Sequence, residues 1–185
     1  MKKITILCLL LLVGFVLAMQ AQKPATAPKP DPELKKLAVW VGHWTCEGEI
    51  KPGPLGPGGK FTCEYDGKMI LGGFVFQGRW TQKGPAGETR GLEMYRYDPV
   101  NKNFPTEIYM DDGSSYSGVM SINGNTFTLP GKFLAGGKLY EGRVVMINAA
   151  DGMSMTLKAE ISTDGKTWTP FSESKYTKAP PAPKK

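Results

Sequence analysis

Residues 42–51 read G-H-W-T-C-E-G-E-I-K, and residues 60–66 read K-F-T-C-E-Y-D. In the first stretch Trp44, Cys46, Gly48 and Ile50 share one parity, and Thr45, Glu47, Glu49 and Lys51 share the other. That period of two is the signature of a strand with one buried face. The second stretch mirrors it, with Phe61, Cys63 and Tyr65 alternating against Lys60, Thr62, Glu64 and Asp66. Between them lies P-G-P-L-G-P-G-G, a loop that cannot continue either strand. A hairpin register that opposes Cys46 to Cys63 also opposes Trp44 to Tyr65, and all four side chains then point inward.

Working outward, the alternation persists to Tyr176, punctuated by the turn signals Y-D-P-V-N-K at 97–102, I-N-G-N at 122–125 and T-D-G-K at 163–166. Three runs are clean: Phe104, Thr106, Ile108, Met110; then Tyr116, Gly118, Met120, Ile122; then Met153, Met155, Leu157, Ala159, Ile161. Less regular runs lie around Ile70–Trp80, Thr89–Tyr97, Thr126–Leu129, Leu139–Ile147 and Trp168–Tyr176. The total is about ten short strands. Upstream, Asp31 is a capping residue, Pro32 suits a first helical position, and Leu34, Leu37, Ala38 and Val41 recur at helical spacing until Gly42. The expected fold is all-β: a closed antiparallel up-and-down β-barrel of about ten strands with one short N-terminal helix over one end. Closure hides the edge strands that an open meander would expose.

The flanks differ in character. Lys2 and Lys3 precede an apolar run from Ile4 to Ala18, with small residues at Ala18 and Ala21, so residues 1–21 read as a cleavable signal peptide. Residues 22–32 form a Pro-rich linker, residues 33–177 the barrel domain, and residues 178–185 a Pro/Lys-rich tail. The apolar run is short for a membrane span and no other long one follows, so the expectation is a secreted or periplasmic protein with no transmembrane anchor. The formal charge of +6 suggests nucleic acid, but its distribution does not. Of 23 basic and 17 acidic residues, seven basic ones and Asp31 lie outside Glu33–Thr177, which leaves that segment neutral. No nucleic-acid partner is expected.

The stretch L-K-K-L-A-V-W-V-G-H-W-T-C-E-G from Leu34, with Y-R-Y-D-P-V-N-K-N-F and S-T-D-G-K-T-W, resembles the bacterial domain-of-unknown-function family fifteen-seventy-nine, a lipocalin-like (calycin-type) group. The resemblance runs from Glu33 to about Tyr176 and implies fold rather than chemistry. It implies that Gly42 and Trp44 form the G-x-W element where the first strand leaves the helix, the indole plugging one barrel end. That group is in turn distantly similar to nitrobindin-type haem barrels, which hold iron through a histidine on a late strand. His43, the only histidine, has the parity of Thr45 and Glu47, on the outward face, so no cofactor is expected.

Other constellations are weak. His43 has no nucleophile motif around it, and no catalytic residue is assigned. The M-D-D-G-S-S run at 110–115 lacks the spacing of a calcium loop and reads as a polar hairpin; two cysteines without histidine partners make no zinc site, so no metal is expected. Cys46 and Cys63 are expected to form a disulfide, with a buried unbridged pair as the alternative. The interior carries the functional reading. Trp44, Tyr65, Met94, Met110, Tyr116, Met120 and Met155 are expected as soft walls around a small hydrophobic ligand. Arg96 shares a parity with Leu92 and Met94, and Arg143 with Leu139 and Val145, so either is a candidate for an acidic head group, unless it reaches solvent or Glu141. Binding is favoured over catalysis, and the alternatives are a filled interaction barrel, a haem barrel or a calycin-type isomerase.

Overall fold

The computed structural model describes residues 27–179. The expected signal peptide, residues 22–26 of the linker and residues 180–185 of the C-terminal tail lie outside the described residues. Ten antiparallel strands close into a ring: β1 Gly42–Ile50, β2 Gly59–Ile70, β3 Val75–Gly84, β4 Gly87–Arg96, β5 Phe104–Met110, β6 Ser115–Asn123, β7 Thr126–Ala135, β8 Lys138–Asn148, β9 Ser154–Ser162 and β10 Thr169–Lys178. Each strand pairs with its neighbours in sequence, and β1 pairs with β10 to complete the circle. The all-β up-and-down barrel expected from the alternation is the fold. No helix among the described residues is long and apolar enough to cross a membrane.

The register of the first hairpin is the one set by its cysteines: Trp44 opposes Tyr65 and Cys46 opposes Cys63. The cysteines are bridged, with their Cα atoms 4.9 Å apart. Both are buried beside Phe61.

The N-terminal element differs from expectation in pitch. It is a 3₁₀ helix, Pro32–Trp40, in which the Asp31 carboxylate accepts the Glu33 backbone N–H at 2.9 Å. At three residues per turn the face is repeated every third position. The buried stripe is therefore Leu34, Leu37 and Trp40, while Ala38 is exposed. Trp40 closes one end of the barrel, packed among Phe76, Tyr95 and Phe127, its indole N–H donated to Asn148 Oδ1 at 2.9 Å. Trp44 lies beneath it, 2% exposed, and donates its indole N–H to the Trp40 carbonyl at 3.1 Å.

β7 also departs from the sequence reading, which ended it at Leu129. It runs on through Pro130 to Ala135. Proline lacks the N–H a ladder needs. Pairing between β6 and β7 accordingly stops after Gly118↔Gly131 and resumes, in the same register, at Ser121↔Thr128. On its other side β7 pairs with β8 without interruption.

Candidate functional site

Alternation places one set of side chains from every strand inside the ring, and packing is not uniform along it. Towards the helix the core is dense, with Phe76, Leu37, Met120 and Leu129 at most 1% exposed. Below this plug lies a cavity of about 110 Å³ walled by Trp40, Trp44, Tyr65, Tyr95, Tyr176 and Met155 among others. A second chamber of about 520 Å³ occupies the opposite end, walled by residues such as Phe61, Met110, Tyr116, Phe133 and Ile161. The exposed Pro54, Ala86, Asp112 and Gly136 form its rim, so it opens to solvent. Glu93, Ile108 and Val144 line both chambers.

Glu93 is the one acidic side chain in the wall of the inner cavity. It is half-buried on the inner face of β4, opposite Gly78, and lines both chambers. Its Oε2 accepts the Tyr95 hydroxyl at 3.0 Å and the Tyr65 hydroxyl at 3.3 Å. Glycines make this arrangement possible. Tyr65 stands on β2 and Glu93 on β4, with Gly78 of β3 paired to Glu93 between them. A Cβ at Gly78 would stand 2.3 Å from the Tyr65 hydroxyl oxygen, so only glycine lets that ring lean across β3. Gly91, two residues from Glu93 on the same face, accommodates Trp80 in the same way, since a Cβ there would lie 2.2 Å from the indole.

Burial pushes the Glu93 carboxyl up to about 7, while donation from Tyr95, Tyr65 and Trp80 pulls the other way without prevailing. Burial likewise raises Tyr65 and Tyr95, and the adjacent carboxylate adds to the effect. None of the ion pairs among the described residues includes Glu93. The carboxyl is thus hydrogen-bonded but carries no countercharge.

Residues 29–178 match the family described as "Protein of unknown function (DUF1579)". The chain belongs to the DUF1579 family. No curated protein matches it in sequence. Among solved structures, the crystal structure of Rv2717c from M. tuberculosis is similar with a TM-score of 0.59 and 14% identity, covering 82% of this chain and 100% of that one. Identity that low carries the fold and nothing about chemistry.

The DUF1579 barrel distributes the residues expected as walls between the two chambers, the packed core and the outer face. Trp44, Tyr65 and Met155 line the inner cavity, and Met110 and Tyr116 the outer chamber. Met120 points inward but is packed solid, with no exposed surface. Four residues expected to point inward do not. Met94 and Arg96 face outward, because the β3–β4 register puts Tyr95 opposite Phe76 and Glu93 opposite Gly78 on the inner face. Arg143 also lies outside: Tyr140, Val144 and Met146 take the inner parity of β8, and the guanidinium pairs with Glu160 and stacks over Trp168, 4.2 Å from the ring centroid. Met153, counted with the inward face of β9, precedes the strand and is 43% exposed.

The inner-cavity residues not anticipated from the sequence are Glu93, Tyr95, Trp40, Leu129, Val144, Met146 and Tyr176. A signal existed for two of them. Phe76, Gly78 and Trp80 share a parity on β3, and the tight turn that pairs Gly84 with Gly87 sets them opposite Tyr95, Glu93 and Gly91. His43 is on the outer face, its Nδ1 3.0 Å from Asp66 Oδ1, so the chain has no histidine to offer a haem in the interior. In the 110–115 hairpin, Asp112 Oδ1 accepts the Ser114 N–H at 2.8 Å, and its carboxylate serves the turn.

Proposed function

We propose that the barrel carries a small hydrophobic or amphipathic molecule in its two chambers. The observation that supports this most directly is an apolar interior that is hollow and open at one end. A filled interaction module would have no use for space adjoining a buried carboxyl. The carrier is secreted or periplasmic on this reading, with residues 1–21 removed as a signal peptide and residues 33–177 forming the barrel domain. Its Cys46–Cys63 bridge suits an oxidising compartment.

A proton-transfer enzyme is the second reading, favoured by a Glu93 carboxyl that exchanges its proton near neutrality. Against it, Tyr65 and Tyr95 donate to Glu93, Trp44 to a backbone carbonyl, and Tyr116 to the Leu129 and Gly142 carbonyls. These polar tips are committed within the protein, which leaves little to polarise a substrate.

The test is titration with a neutral hydrophobic dye, N-phenyl-1-naphthylamine. Wild type should enhance its fluorescence saturably. Val144→Phe, which fills the junction of the chambers, should abolish the enhancement while leaving the circular dichroism unchanged. Arg96→Met and His43→Gln, both outside the ring, should behave as wild type. Absence of dye binding by wild type, or equal binding by Val144→Phe, would remove the carrier reading. Native mass spectrometry of protein from its own host would then identify any retained ligand.

A further inference from the structure

The polar character of the chambers selects among amphipathic ligands. Among the described residues, the inner cavity contains one ionisable group other than tyrosine, the Glu93 carboxyl. Among the described residues, the outer chamber is lined by Asp112 and Glu160 besides Glu93, and by no lysine or arginine. Glu160 is matched by Arg143 on the outer side of the wall, and Asp112 is engaged by Ser114, so neither substitutes for a charge on the ligand. An anionic head group therefore finds no cation inside, the two arginines suited to it by sequence being on the outer face.

The surroundings of Glu93 favour the opposite sign. Both tyrosine hydroxyls donate to Oε2 and the Trp80 indole is the third donor beside the group, which is fewer than the roughly four lone-pair sites of an ionised carboxylate, so Glu93 retains acceptor capacity. An ionised carboxylate in an apolar cavity is costly until a cation pairs with it. The cavity beside it is walled by five aromatic residues, Trp40, Trp44, Tyr65, Tyr95 and Tyr176. Aromatic rings attract cations, most strongly where water is excluded. A carboxylate set among such rings is a receptor for an ammonium group, and the larger chamber leading to solvent suits an alkyl or aryl body.

Resting on the carrier reading above, we propose that the ligand is a hydrophobic amine, its ammonium group seated between Glu93 and the aromatic walls of the inner cavity and its apolar body in the open chamber.

An eight-carbon series distinguishes this proposal from the carrier reading itself. Octylamine, octanol and octanoate would be titrated calorimetrically into the intact barrel at about pH 8, where the carboxyl is largely ionised. Octylamine should bind about tenfold to a hundredfold more tightly than octanol, the fold-change of a charge-assisted hydrogen bond, and octanoate should bind least. Glu93→Gln should bring octylamine down to the octanol value measured on the same variant, while Arg96→Met, outside the ring, should leave the wild-type order of the three unchanged. Octanol binding as tightly as octylamine to wild type, or octanoate binding most tightly, would overturn the amine proposal and leave the carrier standing. No binding of any of the three, together with no dye binding, would overturn both. The wild-type comparison decides the matter even if the variant does not fold.

Discussion

Glu93 sits where an apolar residue would be the cheaper choice, and its proton is the measurable sign of that. The ordinary value of 4.5 is raised to about 7 by burial. The groups around it are Tyr65, Tyr95 and Tyr176, all themselves shifted upward, and Trp80, with Asp112 and Glu160 farther out in the chamber wall. Between 4.5 and about 7 the native state keeps a proton that the unfolded chain releases. Stability contributed by this group is therefore greatest below the unfolded value, falls as pH rises through that window, and stays low above it. Wild type should lose about 2 to 3 kcal/mol relative to Glu93→Gln between about pH 5 and pH 8, measured by urea unfolding at each pH. Parallel pH profiles for the two proteins would show that Glu93 is not held protonated.

At the scale of elements, legibility followed the clarity of each strand's two faces. β1 and β2 place glutamate, threonine and lysine on one parity and aromatic or cysteine residues on the other, so their register could be read directly. β4 and β8 carry apolar side chains on both parities: Leu92 and Met94 compete with Tyr95, and Leu139 and Val145 compete with Tyr140, Val144 and Met146. There the neighbouring strands decide, through pairing the single strand does not encode. A glutamate inside and an arginine outside then violate the usual pattern or satisfy it only after the register is known. The disulfide is the element-level feature whose loss is easiest to weigh. Its sequence separation of 17 closes a short loop. The double variant Cys46→Ser, Cys63→Ser should lose about 3 kcal/mol in the chain-entropy account, read from the urea midpoint under non-reducing conditions. An unchanged midpoint would show that hairpin packing alone fixes the register.

For the whole molecule, the barrel and its order of strands were legible because turns and alternation recur along the chain, whereas the hollow was not. Volume inside a ring depends on which side chains fill it and how far they lean, as Tyr65 does over Gly78. The same ring has a property of connectivity. The Ala179 N–H donates to the His43 carbonyl at 2.9 Å, so the chain leaves the barrel beside the point where it entered. A meander whose two ends meet has no necessary first strand. Joining Ala179 to Asp31 with a flexible linker that leaves the Pro32–Trp40 helix ahead of β1, and cutting the chain at the exposed Gly136–Gly137 turn, would preserve every neighbour in the ring. Such a circular permutant should refold with the same far-ultraviolet dichroism and the same Cys46–Cys63 bridge. Its folding rate should differ, because β1 and β10, the most distant strands in this sequence, would be separated only by the linker and the N-terminal helix.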